Sequence, residues 1–157
     1  MKLQVKEISL HKQLTLQAAK WLKKHVRNIT IPNCPYIASE WLTNTLTGEM
    51  PDVIGWCNWT SVLIEVKVGR GDFFADAKKT FRKIGKEGMG ELRYYCCPVG
   101  LIRESELPEK WGLLYLNDKN NIEIIKVAER QESNLNCERS ILLTMLRREK
   151  KKLMPSQ

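Results

Sequence analysis

The chain has no apolar run near the length of a membrane-spanning helix, and its first residues lack the apolar core of a secretory signal. A spanning or secreted protein is therefore not expected. The reading is cytoplasmic, in a bacterium the cytosol or nucleoid. Cysteines are few and odd in number (Cys34, Cys57, Cys96, Cys97, Cys137), and no pair is spaced as Cys-x-x-Cys. The two histidines, His11 and His25, lie far from most of them, so spacing favours reduced thiols over a zinc site. Internal repeats and long linkers are also lacking, and residues 1–157 read as one domain with a single core.

Acidic residues are outnumbered, 18 against 26 Lys and Arg, which gives a net charge of +8 and an isoelectric point near 9.3. That excess favours a polyanionic partner or an anionic membrane surface. Apolar residues make up 43% of the chain, which excludes a disordered protein.

The most informative stretch is 51–67, PDVIGWCNWTSVLIEVK, two short apolar strands around a polar break at Cys57-Asn58-Trp59-Thr60. A two-residue turn at Asn58-Trp59 puts Cys57 opposite Thr60, Val53 opposite Ile64 and Asp52 opposite Glu65, with Cβ atoms about 5 Å apart. Lys67, two residues beyond Glu65, projects from the same face. Two carboxylates this close repel unless a cation sits between them. Lys67 supplies part of that charge and a divalent metal would supply more. Mg²⁺ takes oxygen ligands, commonly one or two carboxylates completed by waters and phosphate oxygens, so Asp52, Glu65 and the Val66 carbonyl would form one side of its shell. Such a centre, with Lys67 beside the attacking water, is suited to phosphodiester hydrolysis.

The surrounding pattern places this hairpin in an α/β protein with a mixed sheet. Residues 9–26 read as an amphipathic helix, 36–43 as a strand, 45–50 as a turn, and 61–68 as a central strand covered on both faces. Asp72 reads as the N-cap of a helix over 72–86, with Phe73, Ala77, Phe81 and Ile84 inward and Lys78, Lys79, Arg82 and Lys83 outward. A glycine-rich break over 85–90 leads to a strand over 92–97, a loop over 98–110 and a hairpin of 111–116 with 121–127. Residues 131–157 hold a C-terminal basic helix over 135–154, apolar at Ile141, Leu142, Met145 and Leu146, ending in the basic run 147–152.

Pro51-Asp52 followed by Glu65-Val66-Lys67 resembles the PD-(D/E)xK signature of the restriction-endonuclease-like superfamily. The longer run EVKVGRGDFFADAK, 65–78, is similar to the MmcB-like DNA-repair nucleases, in which an E-V-K strand leads into a helix opening D-F-x-x-D-x-K. The resemblance covers roughly 39–127 and is dense only over 52–78. It implies an αβββαβ core with helices flanking a mixed central sheet. It also implies Mg²⁺ or Mn²⁺ as cofactor, Asp52 and Glu65 as its ligands, and Lys67 as the catalytic lysine. Family members often carry another acid on the first element; Glu40 is the one acid suitably placed, opposite Asp52 if the loop centres near Leu46. Asp72 and Asp76 match the family pattern but read as structural acids at a helix start.

The expected activity is a nuclease acting on DNA, in repair or processing, with branched, damaged or single-stranded DNA as partner. Arg70, Lys78, Lys79, Arg82 and Lys83 follow the site and are the candidate phosphate contacts. Trp59, at the hairpin tip, is the candidate for base stacking, whereas Trp41 and Trp56 read as core. A homodimer is what cutting both strands of a duplex would call for. The rival readings are a catalytically silent nucleic-acid-binding module of the same fold and a basic interaction protein.

Overall fold

A computed structural model describes residues 8–24, 31–39 and 45–153. In chain order the elements are α1 (Leu10–Lys24), β1 (Tyr36–Ser39), β2 (Val53–Cys57), β3 (Thr60–Val66), α2 (Arg70–Ala77), α3 (Thr80–Lys83), β4 (Leu92–Pro98), β5 (Gly112–Leu116), β6 (Ile122–Lys126) and α4 (Leu135–Leu153). Two 3₁₀ turns, Gly85–Glu87 and Glu104–Glu106, punctuate the loops. The six strands form one sheet in sequence order. β1, β2 and β3 pair antiparallel, β4 and β5 join in parallel, and β6 returns antiparallel with a bulge at Leu113/Leu114.

The alternation of side chains along β3 splits the core between the two faces of the sheet. Val62, Ile64 and Val66 face α1, whose Leu14, Ala18 and Leu22 recur every four residues and close that side. Leu63 points the other way, into a cluster with Phe73 of α2, Tyr95 and Cys97 of β4, Trp111, and Cys137 and Ile141 of α4. Every residue of β3 is buried, as a strand flanked on both sides and covered on both faces must be.

The β2–β3 register matches the expectation, with Cys57 opposite Thr60 and Val53 opposite Ile64. On the other edge of β2, Tyr36↔Trp56 through Ser39↔Val53 has the register of a loop centred near Leu46. Glu40 and Trp41 lie outside the described residues.

The helix expected over 72–86 is corrected. It starts at Arg70 with Gly69 as N-cap, so Asp72 sits inside the first turn. It stops at Ala77, and a new helical turn begins at Thr80 after an extended Lys79. The break resets the helical phase. Ala77 and Ile84, expected inward, are exposed, while Asp76 and the Arg82 side chain turn inward. In α4, Ile141 is buried as expected and Leu142 and Met145 pack against the same cluster, but Leu146 is exposed.

The glycine-rich tract packs against the sheet around Arg93. A Cβ on Gly88 would meet the Arg93 guanidinium, and Gly90, with φ +83°, lies so close to Leu63 that a Cβ would overlap it. Glu138, near the start of α4, ties that helix to the sheet. Its carboxylate accepts from Trp56 Nε1 (2.8 Å), Ser61 Oγ (2.9 Å), the Gly90 N–H (2.9 Å) and Ser133 Oγ. No helix among the described residues is long and apolar enough to cross a membrane.

Candidate functional site

The end of β3 gathers a dense cluster of buried charge. Glu65 continues the Leu63 face and is 3% exposed; Lys67, one step past the strand, keeps the ladder through its N–H to the Cys96 carbonyl at 2.9 Å and is equally buried. Lys67 Nζ lies 3.5 Å from Glu65 Oε2, 3.6 Å from Asp76 Oδ1 and 3.9 Å from Asp72 Oδ1. The predicted acid–lysine pair is therefore brought together, and α2 contributes two more carboxylates.

Asp52 takes a different posture. Its Oδ2 accepts the Val66 N–H at 2.8 Å, and its Oδ1 lies 3.4 Å from Nε2 of His11 on α1. The carboxylate thus lies across the end of the sheet, reaching from the Glu65 strand towards the α1 side. It remains near enough to Glu65 for its charge to raise the Glu65 pKa.

Arg82 also departs from the expectation. Expected on an outward phosphate-binding face, its side chain is 3% exposed and bridges three carboxylates. It donates to Glu49 Oε1 and, at 2.8 Å, to Asp76 Oδ2, and Nη2 sits 2.9 Å from Glu65 Oε1. Its guanidinium also packs 4.9 Å from the Phe81 ring centre and 5.0 Å from that of Trp111. Asp76, read as a helix-start acid, is instead in the last turn of α2. It is buried and is bound also by Tyr95 Oη at 2.7 Å and Lys79 Nζ at 2.8 Å. The dipole reason for an acid there does not apply.

The electrostatics follow from this crowding. Burial pushes the Glu65 carboxyl up to about 7; Arg82 and Lys67 pull it down while Asp52 and Asp76 push with the burial. Glu49 is raised by burial too, against Arg82 and the Met89 N–H. Asp76 goes the other way: burial opposes its charge, but Arg82 and Lys67 hold it below the usual carboxylate range. Burial also works against the Arg82 charge, and Glu65, Glu49 and Asp76 override it.

The oxygens that could hold a hard cation are those of Asp52 and Glu65, with the Val66 carbonyl. No group of three or more His, Cys, Asp or Glu among the described residues forms a ligand cluster. Mg²⁺ does not require one, since it keeps waters and takes substrate oxygens beside one or two carboxylates. The donor chemistry fits. Five carboxylates (Glu49, Asp52, Glu65, Asp72, Asp76) surround three cations (Lys67, Lys79, Arg82). Moreover, Glu65 Oε1 and Asp76 Oδ1 are buried without a hydrogen bond of proper angle, although cations stand at ion-pair distance from both.

Of the other expected contacts, Lys78, Lys79 and Lys83 are exposed, and Trp59 is 61% exposed with Arg130 over its ring at 5.6 Å. Arg70 is exposed but engaged, forking onto Glu106 at 2.6 and 2.7 Å and donating to the Leu101 carbonyl. Glu49, His11, Tyr95 and the inward role of Arg82 and Asp76 escaped the sequence reading. Asp76 alone carried a signal, its place in the D-F-x-x-D-x-K run.

The fold is α/β, a six-stranded mixed sheet flanked by helices. No family model matches the chain, and no curated protein matches it significantly. Among solved structures it is similar to SPO1766, a protein of unknown function from Silicibacter pomeroyi, with a TM-score of 0.64 at 23% identity, over 94% of this chain and 93% of that one. At that identity the likeness is one of fold.

Proposed function

We propose that the chain is a metal-dependent nuclease that hydrolyses DNA phosphodiester bonds, with the restriction-endonuclease-like core and the MmcB-like repair nucleases as its nearest type. The observation that carries the reading is Lys67 against Glu65 at the end of the buried strand β3, with the Asp52 carboxylate bound to the N–H of the intervening Val66. The order helix, three antiparallel strands, helix and parallel strand over Leu10–Pro98 supports it.

In this reading Asp52, Glu65 and the Val66 carbonyl hold Mg²⁺ or Mn²⁺, which supplies Lewis-acid charge at the scissile phosphate. Lys67 orients the attacking water and offsets charge that builds on the phosphate oxygens. Its ammonium is fixed by Glu65, Asp72 and Asp76, so little reorganisation is needed when substrate arrives. Arg82 and Tyr95 are positioning residues. They hold Asp76, and Arg82 also holds Glu65, without touching the reacting atoms. Lys78 and Lys83 on the exposed edge receive the flanking strand.

One observation favours the second reading, a silent nucleic-acid-binding module: both oxygens of Glu65 already face a cation, Arg82 on one side and Lys67 on the other. Incubation with supercoiled, single-stranded and branched DNA in Mg²⁺, Mn²⁺ or EDTA separates the two. Cleavage that needs metal and is lost in folded Lys67→Met supports the nuclease. Salt-sensitive binding with no cleavage in any metal supports the module.

A further inference from the structure

Beyond Arg82 a cavity of about 480 Å³ opens, bounded by Trp111 and by Arg82 itself. Its most buried lining residue is Arg93, 1% exposed. The Arg93 guanidinium donates four hydrogen bonds, all to peptide carbonyls: Gly90 (2.8 Å), Gly85 (2.7 Å), Gly88 (2.9 Å) and Glu132 (2.7 Å). These carbonyls engage Nε and Nη2 but do not cancel the charge. No carboxylate among the described residues lies within ion-pair distance of it. A buried charge without a counter-charge is costly, and burial lowers this guanidinium to about 10 despite the more distant Glu49 and Glu138.

The rest of the lining has the same sign. Lys83, Lys86 and Lys110 stand exposed around it, against two glutamates. Gln131 lines it as well, and its Nε2 is buried with no acceptor. Lys110 holds a left-handed backbone, φ +66°, a conformation that costs a lysine energy and recurs at ligand sites. The volume lies within the roughly 300–1,000 Å³ of small-molecule sites, more than a bare inorganic anion fills.

We infer that this cavity binds the phosphate group of a nucleotide-sized ligand, with Arg93 supplying the counter-charge, Gln131 a hydrogen bond and Lys83, Lys86 and Lys110 the field that draws the anion in. Two sources carry that chemistry, a free nucleoside monophosphate and the phosphorylated end of a nucleic-acid strand. The strand-end source rests on the nuclease reading; the anion site does not.

The test uses the full chain in EDTA, so that no cleavage intervenes. Fluorescence anisotropy compares oligonucleotides ending in 5′-phosphate, 3′-phosphate or hydroxyl, with deoxyadenosine monophosphate and inorganic phosphate as competitors at constant ionic strength. A phosphorylated end is expected to bind about ten-fold tighter than a hydroxyl end, the effect of one charge-assisted hydrogen bond. That preference should disappear in Lys86→Glu/Lys110→Glu, at two exposed positions, and fall in Gln131→Ala, at a half-buried one. Calorimetric binding of the monophosphate without an end preference assigns the site to a free nucleotide. Equal binding of all ends, with no heat from monophosphate or phosphate, overturns the site. Metal-dependent nicking of a closed circle, which has no ends, reports the nuclease reading separately.

Discussion

Replacing Arg82 by methionine isolates what holds the charged cluster together. The side chain keeps its bulk against Phe81 and Trp111 but leaves Glu49, Glu65 and Asp76 without their shared cation. Removing one partner of a buried ion pair costs about 3–5 kcal/mol, because the remaining charge is stranded. Against a typical total of roughly 5–15 kcal/mol the variant should still fold, with its melting temperature lowered by about 10 °C. Asp76 loses part of what holds its pKa low, and Glu49 and Glu65 are raised further above their unfolded-chain values, so they take up protons. Such groups destabilise the fold as pH rises. The loss should therefore be near its full value at pH 8 and less than half of that at pH 5. Urea unfolding followed by tryptophan fluorescence measures both, with an unchanged m value as the control for two-state behaviour. Arg82→Lys should recover only a minor part, since an ammonium cannot fork across three carboxylates. A loss below about 1 kcal/mol, or one equal at the two pH values, would refute the claim that Arg82 neutralises this cluster.

Glu65→Gln addresses the same cluster from the acid side. In the wild type Glu65 keeps its proton to about pH 7 when folded but only to its ordinary 4.5 when unfolded, so stability should fall between those values by about 3 kcal/mol. The glutamine variant should lack that slope in a pH series of melting curves. Glu138→Ala should cost about 3 kcal/mol in denaturant titrations, because Trp56 Nε1, Ser61 Oγ and the Gly90 N–H lose their acceptor together. Trp59→Ala, at an exposed position, should leave stability unchanged within about 0.5 kcal/mol and weaken single-stranded DNA binding by about 1–3 kcal/mol. An unaltered dissociation constant would remove Trp59 from the interface.

The sheet was legible where local rules and tertiary packing agree. The hairpin register follows from two apolar runs around Asn58-Trp59, and the burial of β3 follows from its nearly unbroken apolar sequence. After Gly69 the apolar spacing fits a single helical period through Lys78-Lys79, where the chain in fact breaks and restarts. Arg82 then reads as outward on a wheel that does not exist. Glu49 could not be anticipated, because a turn residue reaches the cluster only after the sheet has formed. Asp52 illustrates a finer limit. Strand register places it opposite Glu65, but the turn of its carboxylate towards the Val66 N–H and His11 depends on where α1 packs. The glycine-rich tract carried a signal without a reading: its carbonyls are what Arg93 requires.

The central claim is that Asp52 and Glu65 share a divalent ion beside Lys67, and titration of Mn²⁺ by electron paramagnetic resonance in the presence of a non-cleavable phosphorothioate oligonucleotide tests it most directly. The expected result is a saturable site on the wild-type chain that tightens as pH rises through about 7, where Glu65 loses its proton, and that is lost in Asp52→Asn. Mn²⁺ binding that is absent, or that Asp52→Asn leaves unchanged, would contradict it.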